Sequence, residues 1–323
     1  MLATLKTKLA PKLERFSIRQ GSFYKKSLAI IFIVAGIPGL LMGALLYGIA
    51  GERVKDELLQ LHYRQIEQRS RNIDDQMGNL ELLLSHWAFD NKFGSGLYGF
   101  DFVRNFETTQ DITKTLIAMQ GSNAMVRQAE LYVGGGAEPV LFSPEYGTLS
   151  EQTAQEVYEP LLKGRYETFW TQRPFDPDHP DLKELALVHR IPGGSLNPFG
   201  VLVFRFSSEK VANLLKTMTP YDNGETFLQQ NSGELFISVD GSSPQSPFVQ
   251  ALKAKVAAAG GKKGSFFFDW NGVTYTVSYG SLSRIADDWT FVSASPISSI
   301  TSPVEFISKL ILAISLAALL LAA

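Results

Sequence analysis

The feature that most constrains this chain is an uncharged run over 27–50, which reads SLAIIFIVAGIPGLLMGALLYGIA. As a helix the run would be about 36 Å long, at about 1.5 Å per residue, which is enough to cross a hydrocarbon core of about 30 Å. It is also longer than the apolar part of a signal peptide, which is roughly 7 to 15 residues. We therefore predict a first transmembrane helix over 27–50, with a cleaved signal peptide as the alternative.

The residues before this run are strongly basic. Residues 1–26 contain one acidic residue, Glu14, and these basic residues: Lys6, Lys8, Lys12, Arg15, Arg19, Lys25 and Lys26. Basic residues flank the cytoplasmic side of a membrane helix, so 1–26 is predicted to be a cytoplasmic leader. This orientation places 51–305 outside the cell, in a protein of the plasma membrane.

A second apolar run closes the sequence over 306–323, FISKLILAISLAALLLAA. It is predicted to form a second transmembrane helix that returns the chain to the cytoplasm. Because a crossing helix needs about 20 apolar residues, we expect the natural protein to continue beyond Ala323. The alternative is an apolar tail that only packs or anchors.

Composition excludes several classes of site. The chain has no Cys, so it holds no disulfide, no thiolate zinc or iron–sulfur site and no cysteine nucleophile. Acidic residues outnumber basic ones over 27–308, which is the opposite of a nucleic-acid-binding surface. We predict no cofactor and no metal site, and we expect the DPDHPD stretch over 176–181 to be a solvated acidic loop.

Residues 52–89 are predicted to form one long helix. The stretch lacks Pro, and its apolar residues alternate spacings of four and three, as in this list: Ile73, Met77, Leu80, Leu84 and Trp87. This stripe would either form a dimeric coiled coil or pack on its own domain.

Two units follow, each with the order strand, strand, helix and three strands. After a helix over 111–120, the first unit has strands at 128–133, 139–143, 168–173, 184–191 and 201–206, a helix at 151–162 and a connecting helix at 208–218. The second has strands at 225–230, 234–239, 265–270, 273–279 and 289–295 and a helix at 247–259. The pattern predicts an α+β fold with one antiparallel sheet in each unit.

This organisation resembles a known family. The element order, the segment ELALVHRIPGGSLNPFGVLVFRFSSEKVANLL over 184–215 and the segment DDWTFVSASPISSITSPVEFISK over 287–309 are similar to the double Cache sensor of Gram-positive transmembrane receptors, built from two PAS-like modules. The resemblance implies a long helix with a membrane-distal module over 51–218 and a membrane-proximal module over 219–305. It also implies a homodimer that senses a small extracellular ligand.

The resemblance extends to what such receptors control. Similar receptors carry an AraC-type DNA-binding transcription regulator or a histidine kinase of a two-component system in the cytoplasm. The resemblance favours the AraC-type output, which would lie in a part missing from this chain and would be the only part to contact nucleic acid. The histidine kinase is the alternative.

The resemblance places the ligand in the membrane-distal module. Around the third strand lie Arg165, Tyr166, Trp170 and Arg173, and His189 lies on the next strand. Guanidinium groups bind oxygens in pairs and aromatic faces stack on ring edges, so these residues are the predicted site for an amino acid, carboxylate or sugar. The amino-acid-binding members carry an Arg, Trp, Tyr and distal Asp pattern that aligns only in part. The structural alternative places Trp170 in the core and Arg173 in a surface ion pair, with His189 as a structural residue.

Two functions of other classes compete with this reading. One is a surface-anchored binding protein without an output domain. The other is an acyl-enzyme, because Ser207 and Lys210 fit the SxxK motif of penicillin-recognising enzymes, with 221–223 and 262–264 as loose matches to the other two motifs. The first two motifs are too close together for the helical domain that such enzymes build between them, so we predict that residues 1–323 are not an enzyme.

Overall fold

A computed structural model describes residues 51–136, 138–219, 221 and 223–322. The chain divides into two compact units, of which 62–299 contains both sheets. The other unit is made of 1–61 and 300–323, and the described parts of it are helical. The predicted leader and first transmembrane helix over 1–50 lie outside the described residues.

Six helical segments follow one another along the described residues. They are α1 (Gly51–Ala88), α2 (Phe106–Gly121), α3 (151–162, with a π-helical turn over Ala154–Tyr158), α4 (Ser208–Lys216), α5 (Pro247–Ala259) and α6 (Ile297–Ala322). Two short 3-10 turns, Asn91–Phe93 and Ser95–Leu97, connect α1 to α2.

The long helix α1 confirms the helix predicted over 52–89. Its apolar stripe, including Ile73, Met77 and Leu84, is buried in the main hydrophobic core of the same chain. Each such side chain contributes about 1.5 to 3 kcal/mol when fully buried. The stripe over 73–84 therefore packs on its own domain, as one of the two alternatives proposed.

The first sheet has six antiparallel strands in the order β3-β2-β1-β6-β5-β4. They are β1 (Val126–Val133), β2 (Val140–Phe142), β3 (Tyr146–Thr148), β4 (Thr168–Pro174), β5 (Lys183–Ile191) and β6 (Gly200–Phe206). The sequence predicted five strands and missed β3. A strand of three residues is too short to show the alternation that identifies a strand.

The central strands of the first sheet are covered on both faces. On β5, Leu185 and Leu187 pack in the core that includes α1, whereas Ala186 and Val188 pack with residues of α3 in a separate cluster. Successive side chains of a strand point to opposite faces, so we call these the α1 face and the α3 face of the first sheet.

The second sheet has five antiparallel strands in the order β8-β7-β11-β10-β9. They are β7 (Glu225–Gln230), β8 (Phe236–Ser238), β9 (Lys263–Trp270), β10 (Val273–Leu282) and β11 (Trp289–Pro296). The predicted Asn271-Gly272 turn joins β9 to β10 with φ of 50° and 79°, the left-handed values that a two-residue hairpin turn requires. The α+β fold with two antiparallel sheets is confirmed.

The helix α6 includes most of the second predicted transmembrane segment. It begins at Ile297, before the apolar run, and contains Pro303. Across the described part of the chain, 51–322, no helix is both long enough and apolar enough to cross a membrane. The second span over 306–323 stays a prediction.

Candidate functional site

Trp170 of β4 lies in the core on the α1 face. Its side chain is 2% exposed, and its ring centroid is 5.1 Å from that of Phe206 and 5.2 Å from that of Trp289. The indole Nε1 donates to Glu81 Oε1 at 2.7 Å. These contacts match the alternative in which Trp170 is a core residue.

Arg173 lies on the other face of the same strand. Its Nη2 donates to the Glu156 carbonyl oxygen of α3 at 2.8 Å, and its buried Nε has no partner among the described residues. Burial lowers the pKa of this guanidinium. The structure therefore does not bring Trp170 and Arg173 together in one site, because residues three apart on a strand point to opposite faces.

His189 is buried on the α1 face beside the loop that precedes β4. Its Nδ1 is 2.7 Å from Thr168 Oγ1, and its Nε2 is 3.0 Å from Glu167 Oε1. Burial lowers the pKa of this imidazole, and the nearby Glu167 carboxylate opposes the shift. Both ring nitrogens thus have partners in the protein.

Arg190, the next residue, points to the α3 face and fixes the loop between α3 and β4. Its Nε donates to the Leu161 carbonyl at 2.7 Å, and its Nη1 donates to the carbonyls of Gly164 at 2.9 Å and Tyr166 at 2.6 Å. Its Nη2 donates to the Lys163 carbonyl. These bonds hold the loop in one conformation through backbone groups.

A cleft of about 680 Å³ lies where that loop faces the β5–β6 connection. We call it the strand-end cleft. Its lining comprises Leu162, Lys163, Gly164, Arg165, Glu167, Arg190, Pro192, Gly194, Ser195, Leu196, Asn197 and Pro198. Cavities of roughly 300 to 1,000 Å³ are typical of small-molecule sites.

The strand-end cleft combines positive charge with hydroxyl and amide groups. Lys163 and Arg165 bring two cations, and the one carboxylate, Glu167, is already paired with His189. Tyr166 is 42% exposed, and its ring centroid is 5.8 Å from Arg165 Cζ. Of the five residues predicted from the sequence, only Arg165 lines the cleft. His189 lies behind it as the partner of Glu167.

Sequence reasoning missed a buried charged network on the α3 face. Arg205 Nη1 donates to Glu130 Oε1 at 2.7 Å, and its Nε and Nη2 bind the two carboxylate oxygens of Glu184 at 2.9 and 3.0 Å. Tyr158 donates to Glu130 Oε2 at 2.9 Å, and burial together with Glu130 raises the pKa of this phenol. The signal was a charged residue among the apolar residues of each of three strands: Glu130 in β1, Glu184 in β5 and Arg205 in β6.

A second missed feature, the Glu81 junction, connects three elements. The Glu81 carboxylate of α1 accepts from Trp170 Nε1 of β4 and from the backbone N–H of Ile285 at 3.2 Å. The neighbouring Arg284 donates to Asp74 of α1. Burial raises the pKa of Glu81. One carboxylate therefore joins the first sheet, α1 and the loop between β10 and β11.

The SxxK residues are engaged in local structure. Ser207 Oγ accepts from the Lys210 backbone N–H at 3.4 Å as the N-cap of α4. Lys210 Nζ donates to the Ala124 carbonyl. The described residues contain no group of three or more His, Cys, Asp or Glu side chains that could hold a metal ion.

Comparison with known proteins finds similarity in structure. No protein-family model and no curated protein match the sequence. The sensory domain of the Campylobacter jejuni chemoreceptor Tlp3 (CcmL) matches with a TM-score of 0.53 and 15% identity, over 77% of this chain and 98% of that one. The chain has the fold of a bacterial receptor sensory domain.

Two further solved structures share this sensory-domain fold. The ligand-binding domain of the Pseudomonas fluorescens chemoreceptor CtaA, in complex with L-isoleucine, matches with a TM-score of 0.51 and 12% identity, over 78% of this chain and 97% of that one. The extracellular domain of soHK1S-Z6, assigned as a histidine kinase, matches with a TM-score of 0.51 and 13% identity, over 79% and 98%.

Proposed function

We propose that residues 51–305 form the extracellular sensor of a small ligand in a membrane receptor. The observation that carries this proposal is the strand-end cleft, which has the volume of a small-molecule site and a lining of mixed polarity. The proposal is supported by the sensory-domain fold, because the similar structures are themselves sensory or ligand-binding domains.

The proposed ligand is an amino acid or another small carboxylate, with sugars as the alternative class. Lys163 and Arg165 supply positive charge, and a guanidinium binds carboxylate oxygens in pairs. Among the similar structures, CtaA is in complex with L-isoleucine and Tlp3 with L-valine. The proposed role is recognition without catalysis.

The Glu81 junction is the proposed route from the cleft to the rest of the sensor. Ligand binding would shift the population between two arrangements of the loop and β4. Because Trp170 of β4 and the Ile285 N–H share the Glu81 carboxylate, a change in β4 would reach α1 and the second sheet.

The proposed output lies in the cytoplasm. The uncharged run over 27–50 supports a membrane anchor with 1–26 inside the cell. The sequence resemblance supports a homodimer with an AraC-type DNA-binding output, and soHK1S-Z6 favours a histidine kinase as the alternative. Sequencing the gene downstream of the Ala323 codon tests this. Paired helix-turn-helix motifs support the first output and a kinase module the second, whereas a stop codon would favour a surface-anchored binding protein.

A ligand panel tests the sensor itself. Thermal unfolding of the purified full chain should shift upwards with one class among amino acids, other carboxylates and sugars. A ligand at 100 times its Kd adds about 2.7 kcal/mol to the free energy of unfolding. Arg165→Ala should remove the shift, and Arg104→Ala, at an exposed arginine outside the cleft, should retain it. A shift that survives Arg165→Ala would reject the site.

A further inference from the structure

A second, smaller groove lies between α1 and the second sheet. Its volume is about 170 Å³. The helix contributes Glu67 and Arg71, the second sheet contributes Lys263 and Ser278, and Lys262 lies just before β9. This groove shares no lining residue with the strand-end cleft. An inference about the groove therefore does not depend on the ligand proposed for the cleft.

The groove carries more positive than negative charge. Glu67 Oε1 accepts from Lys263 Nζ at 2.7 Å and from Arg71 Nη2 at 3.0 Å. Lys262 adds a third cation to the lining. A Lys has three N–H donors and an Arg has five, so Glu67 uses only a small part of the donors that this cluster offers.

Ser278 supplies an independent observation. Its side chain is 1% exposed and lines the groove, and its Oγ has no hydrogen-bond partner among the described residues. Buried hydroxyl groups are nearly always hydrogen-bonded in folded proteins. An oxygen atom of a ligand in the groove would give this hydroxyl its acceptor.

We propose that the groove binds a small oxyanion, either phosphate or a small carboxylate, held by Arg71 and Lys263 and by a hydrogen bond from Ser278. A volume of 170 Å³ equals about six waters at about 30 Å³ each, which suits a small anion. Guanidinium and ammonium groups make short, charge-assisted hydrogen bonds to such oxygens. The bound anion would link α1 to the second sheet.

Calorimetric titration of the purified full chain with inorganic phosphate and, separately, with acetate tests this site. In chloride buffer at pH 7 we expect saturable binding of at least one anion. Arg71→Gln and Lys263→Gln should each weaken it about tenfold or more. Because both residues are exposed and lie in surface ion pairs, these variants are expected to fold.

Two further variants keep the test specific. Ser278→Ala should weaken anion binding several-fold and leave the midpoint of thermal unfolding unchanged, because its hydroxyl loses no partner among the described residues. Lys255→Gln, on the exposed side of α5, should bind as the parent chain does. The proposal is overturned if neither anion binds saturably, or if Arg71→Gln and Lys263→Gln bind with the affinity of the parent chain.

Discussion

The two sheets differ in how they satisfy their buried polar groups. On the α3 face of the first sheet, Arg205, whose side chain is 12% exposed, binds the buried carboxylates of Glu130 and Glu184 at 2.7 to 3.0 Å. On the strands of the second sheet, several buried polar atoms have no partner among the described residues: Glu225 Oε1, Gln230 Oε1, Ser278 Oγ, Trp289 Nε1 and Ser295 Oγ. On the described strands of the first sheet, Arg173 Nε is the one such atom.

This difference separates a fixed region from an adaptable one. A fully paired polar network holds its side chains in one arrangement, and losing any member exposes the others to the cost of an unpaired buried charge. Replacing an unpaired hydroxyl or amide group breaks no hydrogen bond, and such a group is available to a ligand. The comparison therefore predicts large effects of substitution in the first sheet and small effects at the unpartnered positions of the second.

The largest effect is expected from Arg205→Met. The substitution leaves the Glu130 and Glu184 carboxylates buried without their cation, which should cost about 3 to 5 kcal/mol of the free energy of unfolding. Urea unfolding measures this. Arg127, whose side chain is 46% exposed and also binds Glu184, is the matched control. Glu184 keeps Arg205 as its cation when Arg127 is replaced, so the loss should be less than about 1 kcal/mol. Equal losses in the free energy of unfolding for Arg205→Met and Arg127→Met would contradict the view that the paired network fixes the first sheet.

His62 of α1 extends the comparison to pH. Both ring nitrogens are buried without a partner among the described residues, and the ring centroid lies 5.4 Å from that of Tyr221. Burial, and then Arg69, lowers the pKa of His62 to about 4. Between pH 6.5 and about 4 the unfolded chain binds a proton that the folded chain does not, so stability falls as the pH falls.

We expect the protonation of this histidine to lower the free energy of unfolding by roughly 3 kcal/mol between pH 7 and pH 4. His62→Phe keeps the ring and removes the titration, so urea unfolding should show a smaller loss on acidification than in the parent chain. His86→Phe, at an exposed position of α1, is the control and should behave as the parent chain does. An unchanged acid sensitivity in His62→Phe would contradict this origin of the pH dependence.

A smaller effect is expected at the Glu81 junction. Trp170→Phe keeps an aromatic ring in the core and removes the N–H that binds Glu81 at 2.7 Å. Glu81 keeps the Ile285 N–H as a donor, so the loss should lie near the lower end of the roughly 1 to 3 kcal/mol that an unsatisfied buried acceptor costs. Trp87 provides a matched control, because its Nε1 is buried without a partner among the described residues. Thermal unfolding should show a clearly larger loss for Trp170→Phe than for Trp87→Phe, and the reverse order would contradict the junction.

How well the sequence predicts a structural feature depends on how far apart along the chain the residues that form it lie. Local patterns predicted α1, the Asn271-Gly272 hairpin and every strand of the two sheets except β3. The alternation of side chains along a strand already places Trp170 and Arg173 on opposite faces. This signal in the sequence argues against putting both residues in one site. The Glu130–Arg205 pair joins residues 75 positions apart. It forms only because β6 inserts beside β1 in the sheet order, which no local pattern specifies.

The smallest effect is expected in the second sheet at Ser295→Ala. The Oγ of Ser295 is buried without a partner among the described residues, so its removal should change the free energy of unfolding by less than about 0.5 kcal/mol or stabilise the fold. Thr226 is the comparison position, since its Oγ1 bonds with both Thr219 and Ser293. Thr226→Val should cost about 1 to 2 kcal/mol. Equal costs in urea unfolding would mean that Ser295 has a hidden partner.

The central claim is that the strand-end cleft binds a small ligand. The most direct measurement is calorimetric titration of the purified full chain and of a Lys163→Gln, Arg165→Gln variant with the class that stabilises the parent chain in the ligand panel. The account predicts saturable binding at one site in the parent chain and a loss of at least tenfold in affinity in the variant. Binding of unchanged affinity in the variant, or no binding of any amino acid, carboxylate or sugar to the parent chain, would contradict it.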